Sequence, residues 1–149
     1  MMRVTLLDLY NRADAQGIDV DDVPMRSLTS VSFPQGWIAL DTAKMQTTAE
    51  HKSILAHELG HVETGSFYNI YSPFDLRAKQ ERRADKAAIK MLLPFKRLLS
   101  AMCSGCREVW QLAEYFDVPD ELINKALTLY EADLMAWTAK RTAKKLTAE

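Results

Sequence analysis

The chain has 149 residues, 48% of them apolar and 26% charged, with 19 Lys and Arg against 20 Asp and Glu for a formal net charge of -1. This make-up excludes disordered, fibrous and disulfide-framework classes, and at this length folding buries about two thirds of the unfolded surface, enough for a core of its own. A charge so close to zero also excludes a function driven by bulk attraction to nucleic acid or anionic lipid.

In chain order, the segment after Met1-Met2-Arg3 meets Asp8 where a secretory signal requires an unbroken apolar core. Leu6, Leu7, Tyr10 and Ala13 recur at helical spacing before Gly17, which predicts a first helix over 4–16. Ile18 to Val20, Ser27 to Phe33 and Trp37 to Leu40 are short, β-branched or aromatic, and separated by Asp-Asp, Pro34 and Gly36, the pattern of strands in a small sheet. Thr47-Thr48-Ala49-Glu50 has the form of a capping box, so a helix is predicted from there to about Glu63, with Leu55, Leu59 and Val62 as its apolar stripe and Gly65 just past its end. Ser72-Pro73-Phe74-Asp75 opens a second such helix, with Pro73 at its first position, ending before Pro94. From Pro94 onward the pattern predicts three helical segments, broken near Gly105 and near Val118-Pro119.

The expected fold is α+β: a small N-terminal antiparallel or mixed sheet packed on the Thr47–Glu63 helix, and a mostly helical C-terminal half. One domain, 1–149, is expected, with its core in 37–94 and a helical extension in 95–149. No apolar stretch approaches the ~18 residues of a membrane span. The two cysteines, Cys103 and Cys106, are too few for a disulfide scaffold. The expectation is a soluble, cytoplasmic chain with reduced thiols and no membrane partner.

His57-Glu58-Leu59-Gly60-His61 stands inside the first capped helix. Four residues advance a helix by about 400°, so both imidazoles leave one face and can meet one metal ion. A catalytic zinc takes three protein ligands and keeps one position for water, which a flanking carboxylate such as Glu58 can deprotonate. The bland reading is a pair of solvated histidines, and a third ligand decides between the two. No histidine follows His61, so the third ligand has to be a carboxylate. Glu63 points some 200° away around the helix, and Asp75 is explained as a helix-start residue. Glu81, with Asp85 one turn later on the same face, lies inside the second capped helix. If that helix crosses the first, Glu81 can reach the metal while Asp85 takes the outer ring nitrogen of a ligand histidine. The alternative is a solvated, salt-bridging face shared with Lys79, Arg82, Arg83 and Lys86.

His57-Glu58-Leu59-Gly60-His61, then Glu81-Arg82-Arg83-Ala84-Asp85, then Met91-Leu92-Leu93-Pro94 resemble the ImmA/IrrE family of zinc-dependent metallopeptidases. The stretch Glu63 to Asn69 resembles its phage and mobile-element branch. The resemblance is close over 37–94 and loose in the flanks. It implies a gluzincin-like peptidase with His57, His61 and Glu81 on Zn²⁺ and Glu58 as base. It also implies an anti-repressor role, with a helix-turn-helix repressor encoded next door as substrate. A rival reading keeps the same zinc in a non-catalytic regulatory module that binds a transcription factor or DNA.

Tyr68 can serve as an oxyanion stabiliser or as a packing residue with a wet hydroxyl. His51 is expected to be an exposed first-turn residue. Cys103-Ser104-Gly105-Cys106 lacks the second pair that a structural zinc needs and reads as a helix-turn. Glu108 to Phe116 and Pro119 to Tyr130 have a helix-turn-helix outline, but Asp117, Asp120 and Glu121 at the turn argue against phosphate contact, so no direct nucleic-acid binding is expected.

Overall fold

Thr5 opens the first element: its Oγ1 accepts from the Asp8 N–H at 3.2 Å while its own N–H donates to Asp8 Oδ2 at 2.8 Å, and α1 (Leu6–Ala15) follows. The structure, a computed structural model, describes residues 3–148. Met1, Met2 and Glu149 lie outside the described residues, and with them the very start of the segment weighed as a signal and both ends of the expected domain. The buried face of α1 is Leu9 and Ala13, whereas Leu7, counted with the apolar stripe in the sequence, is 67% exposed.

β1 (Asp19–Asp22), β2 (Ser30–Phe33) and β3 (Trp37–Leu40) form one sheet in the order β1-β3-β2. β3 pairs parallel to β1, with Asp19 opposite Trp37, and antiparallel to β2, with Ser30 opposite Leu40. The sheet is therefore mixed. The second strand is shorter than the Ser27–Phe33 run implies, and the first is displaced one residue onward from Ile18. Central β3 supplies buried Ile38, Ala39 and Leu40; Ile38 and Leu40 join the core with Leu55 and Leu59 of α2, and β2 lies along the same helix.

α2 (Thr48–Thr64) starts at Thr47, whose Oγ1 accepts from the Glu50 N–H at 3.1 Å. The expected capping box is only half formed, because Glu50 reaches back past Thr47 to the Gln46 N–H at 3.1 Å. Gly65 ends the helix with φ 66°, a left-handed conformation that costs glycine nothing. α2 is buried on several sides at once, with Leu55, Ala56 and Leu59 fully inside. Even Lys52 is 1% exposed: its ammonium donates to the Phe116 carbonyl at 2.8 Å, with Asp117 Oδ2 at 3.9 Å. Burial lowers the pKa of this lysine, and Asp117 opposes the shift. His51 is half-buried instead of exposed, with its Nε2 3.0 Å from the Tyr10 hydroxyl, because α1 packs over the start of α2.

α3 (Phe74–Leu92) crosses α2 in the most extensive helix pairing of the fold. Pro73 stands one position earlier than expected, as the N-cap with φ -57° and ψ 150°. Among the described residues four helices follow, not three: α4 (Phe95–Cys103), α5 (Val109–Phe116), α6 (Asp120–Leu129) and α7 (Glu131–Ala148). The additional break falls at Tyr130, which is 5% exposed and whose hydroxyl donates to the Leu93 carbonyl at 2.9 Å. α5 and α6 are packing helices, burying Leu112, Leu122 and Ile123. α7 has no buried residue. No helix among the described residues is long and apolar enough to cross a membrane.

Candidate metal centre

The crossing of α2 and α3 is close because Gly60 has no side chain. A Cβ built there would meet the Ala84 carbonyl oxygen at 2.5 Å. That approach brings one turn of α2, His57 and His61, against the turn of α3 that carries Glu81 and Asp85.

The two imidazoles stand edge to face, with ring centroids 4.7 Å apart and Nε2 atoms at 3.1 Å. Each outer nitrogen has an acceptor. His57 Nδ1 donates to Asp85 Oδ1 at 2.8 Å, and His61 Nδ1 donates to the Ser66 carbonyl, which the Gly65 reversal turns back under the helix. With both Nδ1 protons committed outward, both Nε2 lone pairs face inward. Glu81 closes the group, with Oε2 2.8 Å from His57 Nε2 and Oε1 3.3 Å from His61 Nε2. Three acceptors converging on one point repel one another unless a cation or proton lies between them. The donor atoms of His57, His61 and Glu81 all fall within 4.8 Å of one another, so the group can hold a metal ion. It is the one such group of His, Cys, Asp and Glu among the described residues.

Electrostatics agree with that geometry. Burial opposes charge on His57, but the hydrogen bond to Asp85 and the carboxylates of Glu58, Glu81 and Asp85 outweigh it and raise the pKa. Burial likewise pushes the Asp85 carboxyl up, and its bond to His57 and the nearby cations bring it below the ordinary value. One of those cations is Lys125 of α6, whose ammonium is 3.2 Å from Asp85 Oδ2. The Tyr68 hydroxyl donates to Glu81 Oε1 at 2.6 Å, and chiefly this bond pushes the phenol up to about 12.

Glu58 sits beside the group but turned toward β2. It is 6% exposed, and its Oε1 accepts from the Ser30 hydroxyl at 2.9 Å. Two openings flank the cluster, sharing Ser30 and Glu81. One, of about 410 Å³, takes in Glu58, His61 and the loop after α2. The other, of about 440 Å³, runs past His57 toward Leu122 and Lys125 of α6.

The structure thus brings His57, His61, Glu81, Asp85, Tyr68 and Glu58 into one neighbourhood, while Lys79, Arg82, Arg83 and Lys86 form the exposed side of α3. Glu63 pairs with Arg12 at 2.7 Å, and Asp75 stays in the first turn of α3. Cys103, the last residue of α4, and Cys106, just past the turn that follows, are free thiols. Three contributors escape the sequence reading: the Ser30 hydroxyl, the Ser66 carbonyl and Lys125. The only advance signal for any of them is Gly65, whose reversal brings the next carbonyl back to the helix end.

The chain matches the family model of the IrrE N-terminal-like domain, Peptidase_M78, over residues 13–128. No curated protein and no solved structure matches it. The matched region contains the whole donor cluster, the helix crossing that builds it and the sheet beside it. The chain belongs to the IrrE N-terminal-like family of metallopeptidase-type proteins.

Proposed function

We propose that this chain is a zinc peptidase that hydrolyses a peptide bond in a protein partner. The observation that carries the reading is the convergence of His57 Nε2, His61 Nε2 and a Glu81 carboxylate, with the buried Glu58 carboxylate at its edge. Two neutral imidazoles and one carboxylate are a ligand set that suits Zn²⁺ with a position left open. When bound, the ion lowers the pKa of a coordinated water and polarises the scissile carbonyl. The other roles belong to the chain. Glu58 takes the proton as the water oxygen adds to the carbonyl carbon, and returns it to the nitrogen as the C–N bond breaks. Ser30 holds Glu58 in place between these two transfers. Asp85 and the Ser66 carbonyl keep both rings in the tautomer that presents Nε2. Tyr68, on the rim of the same cleft, stabilises the oxyanion once its hydroxyl leaves Glu81.

A helix-turn-helix repressor encoded beside this gene, in a phage or mobile element, is the proposed substrate, and family membership is its support. The test mixes zinc-loaded wild type and Glu58→Gln separately with that repressor and follows intact mass. Wild type should convert the repressor to two fragments. Glu58→Gln should bind zinc and repressor yet leave the repressor whole, because an amide cannot accept the proton. If both leave it whole while both relieve its DNA binding, the chain acts on this partner as a binding module, not as a peptidase.

A further inference from the structure

Large apolar side chains are exposed unevenly over this fold. Tyr68, Ile70, Tyr71, Phe74 and Leu76 fall within one short stretch from the loop after α2 into the start of α3, with Ile70 77%, Tyr71 87% and Phe74 81% exposed. Large exposed apolar side chains concentrated in one segment in this way mark an interaction site. The stretch is also firmly held. Asn69 Oδ1 accepts from the Tyr71 N–H at 2.8 Å, and Ser72 Oγ accepts from the Asn69 N–H at 3.0 Å. Arg77 donates to the carbonyls of Ser72 at 3.0 Å and Ile70 at 3.3 Å, and Gln80 donates to that of Phe67 at 3.2 Å. Such bracing keeps the apolar groups presented to solvent and reduces the ordering cost of a later contact.

Two members of this lip, Tyr68 and Ile70, border the metal cleft. Phe67, Tyr68 and Ile70 line one side of the 410 Å³ opening, Leu28, Val31 and Ser32 line another, and Glu58, His61 and Glu81 also border it. β2 is a terminal strand of the sheet, with β3 on one side only. A slot with an unpaired strand edge beside an apolar wall suits an extended polypeptide, whose backbone can pair with the edge while alternate side chains face the wall. The opening toward α6 is lined by Asp85, Glu121 and Lys125 beside Ile54, Ala88 and Leu122, and of β2 only Ser30 reaches it.

We propose that the Tyr68–Leu76 lip, together with Leu28, is the docking surface for large apolar side chains of an extended substrate segment, on the side of the metal centre away from α6. This rests on the peptidase reading for the identity of the cleft, but its test does not require hydrolysis.

The test uses full-length, zinc-loaded Glu58→Gln and fluorescein-labelled octapeptides of Gly, Ser and Thr that carry a central Leu-Phe or Ser-Ser pair. Binding is read by fluorescence anisotropy. The Leu-Phe peptide should bind at least tenfold more tightly. Adding Ile70→Ser, Tyr71→Ser and Phe74→Ser together should erase that difference, whereas Trp110→Ser, at an exposed apolar site elsewhere, should leave it intact. The three positions are open to solvent, and a thermal melt verifies folding. Equal affinity for the two peptides, or full discrimination in the triple variant, overturns the proposal. So does a dimer in sedimentation that the triple variant converts to monomer with peptide discrimination unchanged, which would assign the lip to a second copy. So does lip-dependent co-sedimentation with phosphatidylcholine vesicles in the absence of peptide discrimination. Cleavage by wild type without apolar preference counts against the lip alone. Apolar preference in binding without cleavage of any peptide counts against the peptidase reading alone.

Discussion

Replacing Gly60 with alanine tests whether the spacing of α2 and α3 builds the metal centre. In an isolated helix the change is favourable by about 1 kcal/mol, because glycine loses more backbone freedom on folding. Here the new Cβ would lie 2.5 Å from the Ala84 carbonyl oxygen and 3.2 Å from the Ala84 carbonyl carbon and Cα. These are backbone atoms, so no rotamer change relieves the clash and the helices themselves must separate. Opening the 2.5 Å contact to 3.4 Å, where ordinary contact begins, requires a shift of roughly 0.9 Å. Overpacking of this kind costs about 1–3 kcal/mol, so the net effect on the metal-free protein is a loss of up to ~2 kcal/mol. The effect on the site is larger in proportion. Glu81 and Asp85 flank Ala84 on α3, and metal–ligand distances tolerate only about 0.2 Å. Gly60→Ala should therefore weaken zinc binding at least tenfold in competition with a chromophoric chelator, while the metal-free melting temperature falls by a few degrees. Ala84→Gly should not rescue it, because the clash is with main-chain atoms. Wild-type zinc affinity in Gly60→Ala, with a melting temperature at or above that of the parent, would refute the reasoning.

Metal analysis of the purified protein should give about one zinc per chain, and His57→Ala, His61→Ala and Glu81→Ala should each lose it; full occupancy in Glu81→Ala would place the third ligand elsewhere. Asp85→Ala should raise the zinc dissociation constant by roughly 10- to 100-fold while the chain still folds, and an unchanged constant would reduce Asp85 to a surface charge. For the metal-free protein, the raised pKa of His57 sets the sign of a pH effect. The His57–Asp85 contribution is complete below the unfolded imidazole value near 6.5 and is lost as pH rises through the higher folded value. Melts of chelator-treated protein should show that decline, and Asp85→Asn should flatten it. Zinc affinity should rise over the same window, since only neutral imidazole binds the ion; a zinc affinity independent of pH there would contradict His57 as a ligand.

The parts of this site legible in the sequence are those with a helical period. The His57/His61 and Glu81/Asp85 pairs each have i,i+4 spacing, and Thr47, Gly65 and Pro94 mark where their helices begin and end. What the sequence does not show depends on groups brought together across the fold. Nothing around Ser30 marks it as the partner of Glu58, because that contact needs β2 to lie along α2. Lys125 looks like any exposed lysine on α6 until α6 crosses near Asp85. Lys52 is concealed for another reason: a lysine at a polar position of an amphipathic helix normally reaches water, and only the end of α5 overhead supplies the carbonyl it bonds. The parallel pairing of β1 with β3 is likewise invisible to local patterns, since register between distant segments leaves no periodic trace. The break at Tyr130 is hidden because Leu127, Tyr130 and Leu134 continue a helical spacing straight through it.

The two ring supports differ in how mutation can reach them. His57 leans on a side chain, so one codon change at position 85 removes its acceptor altogether. His61 leans on the carbonyl of Ser66, a group that every amino acid supplies. A saturation library should accordingly tolerate few residues at 85. At 66 it should tolerate small residues such as alanine and reject large ones for lack of room, since Ser66 is 0% exposed. The genetically sensitive position for His61 lies one residue earlier, at Gly65, where a β-branched replacement at φ 66° would re-aim the carbonyl without altering its chemistry.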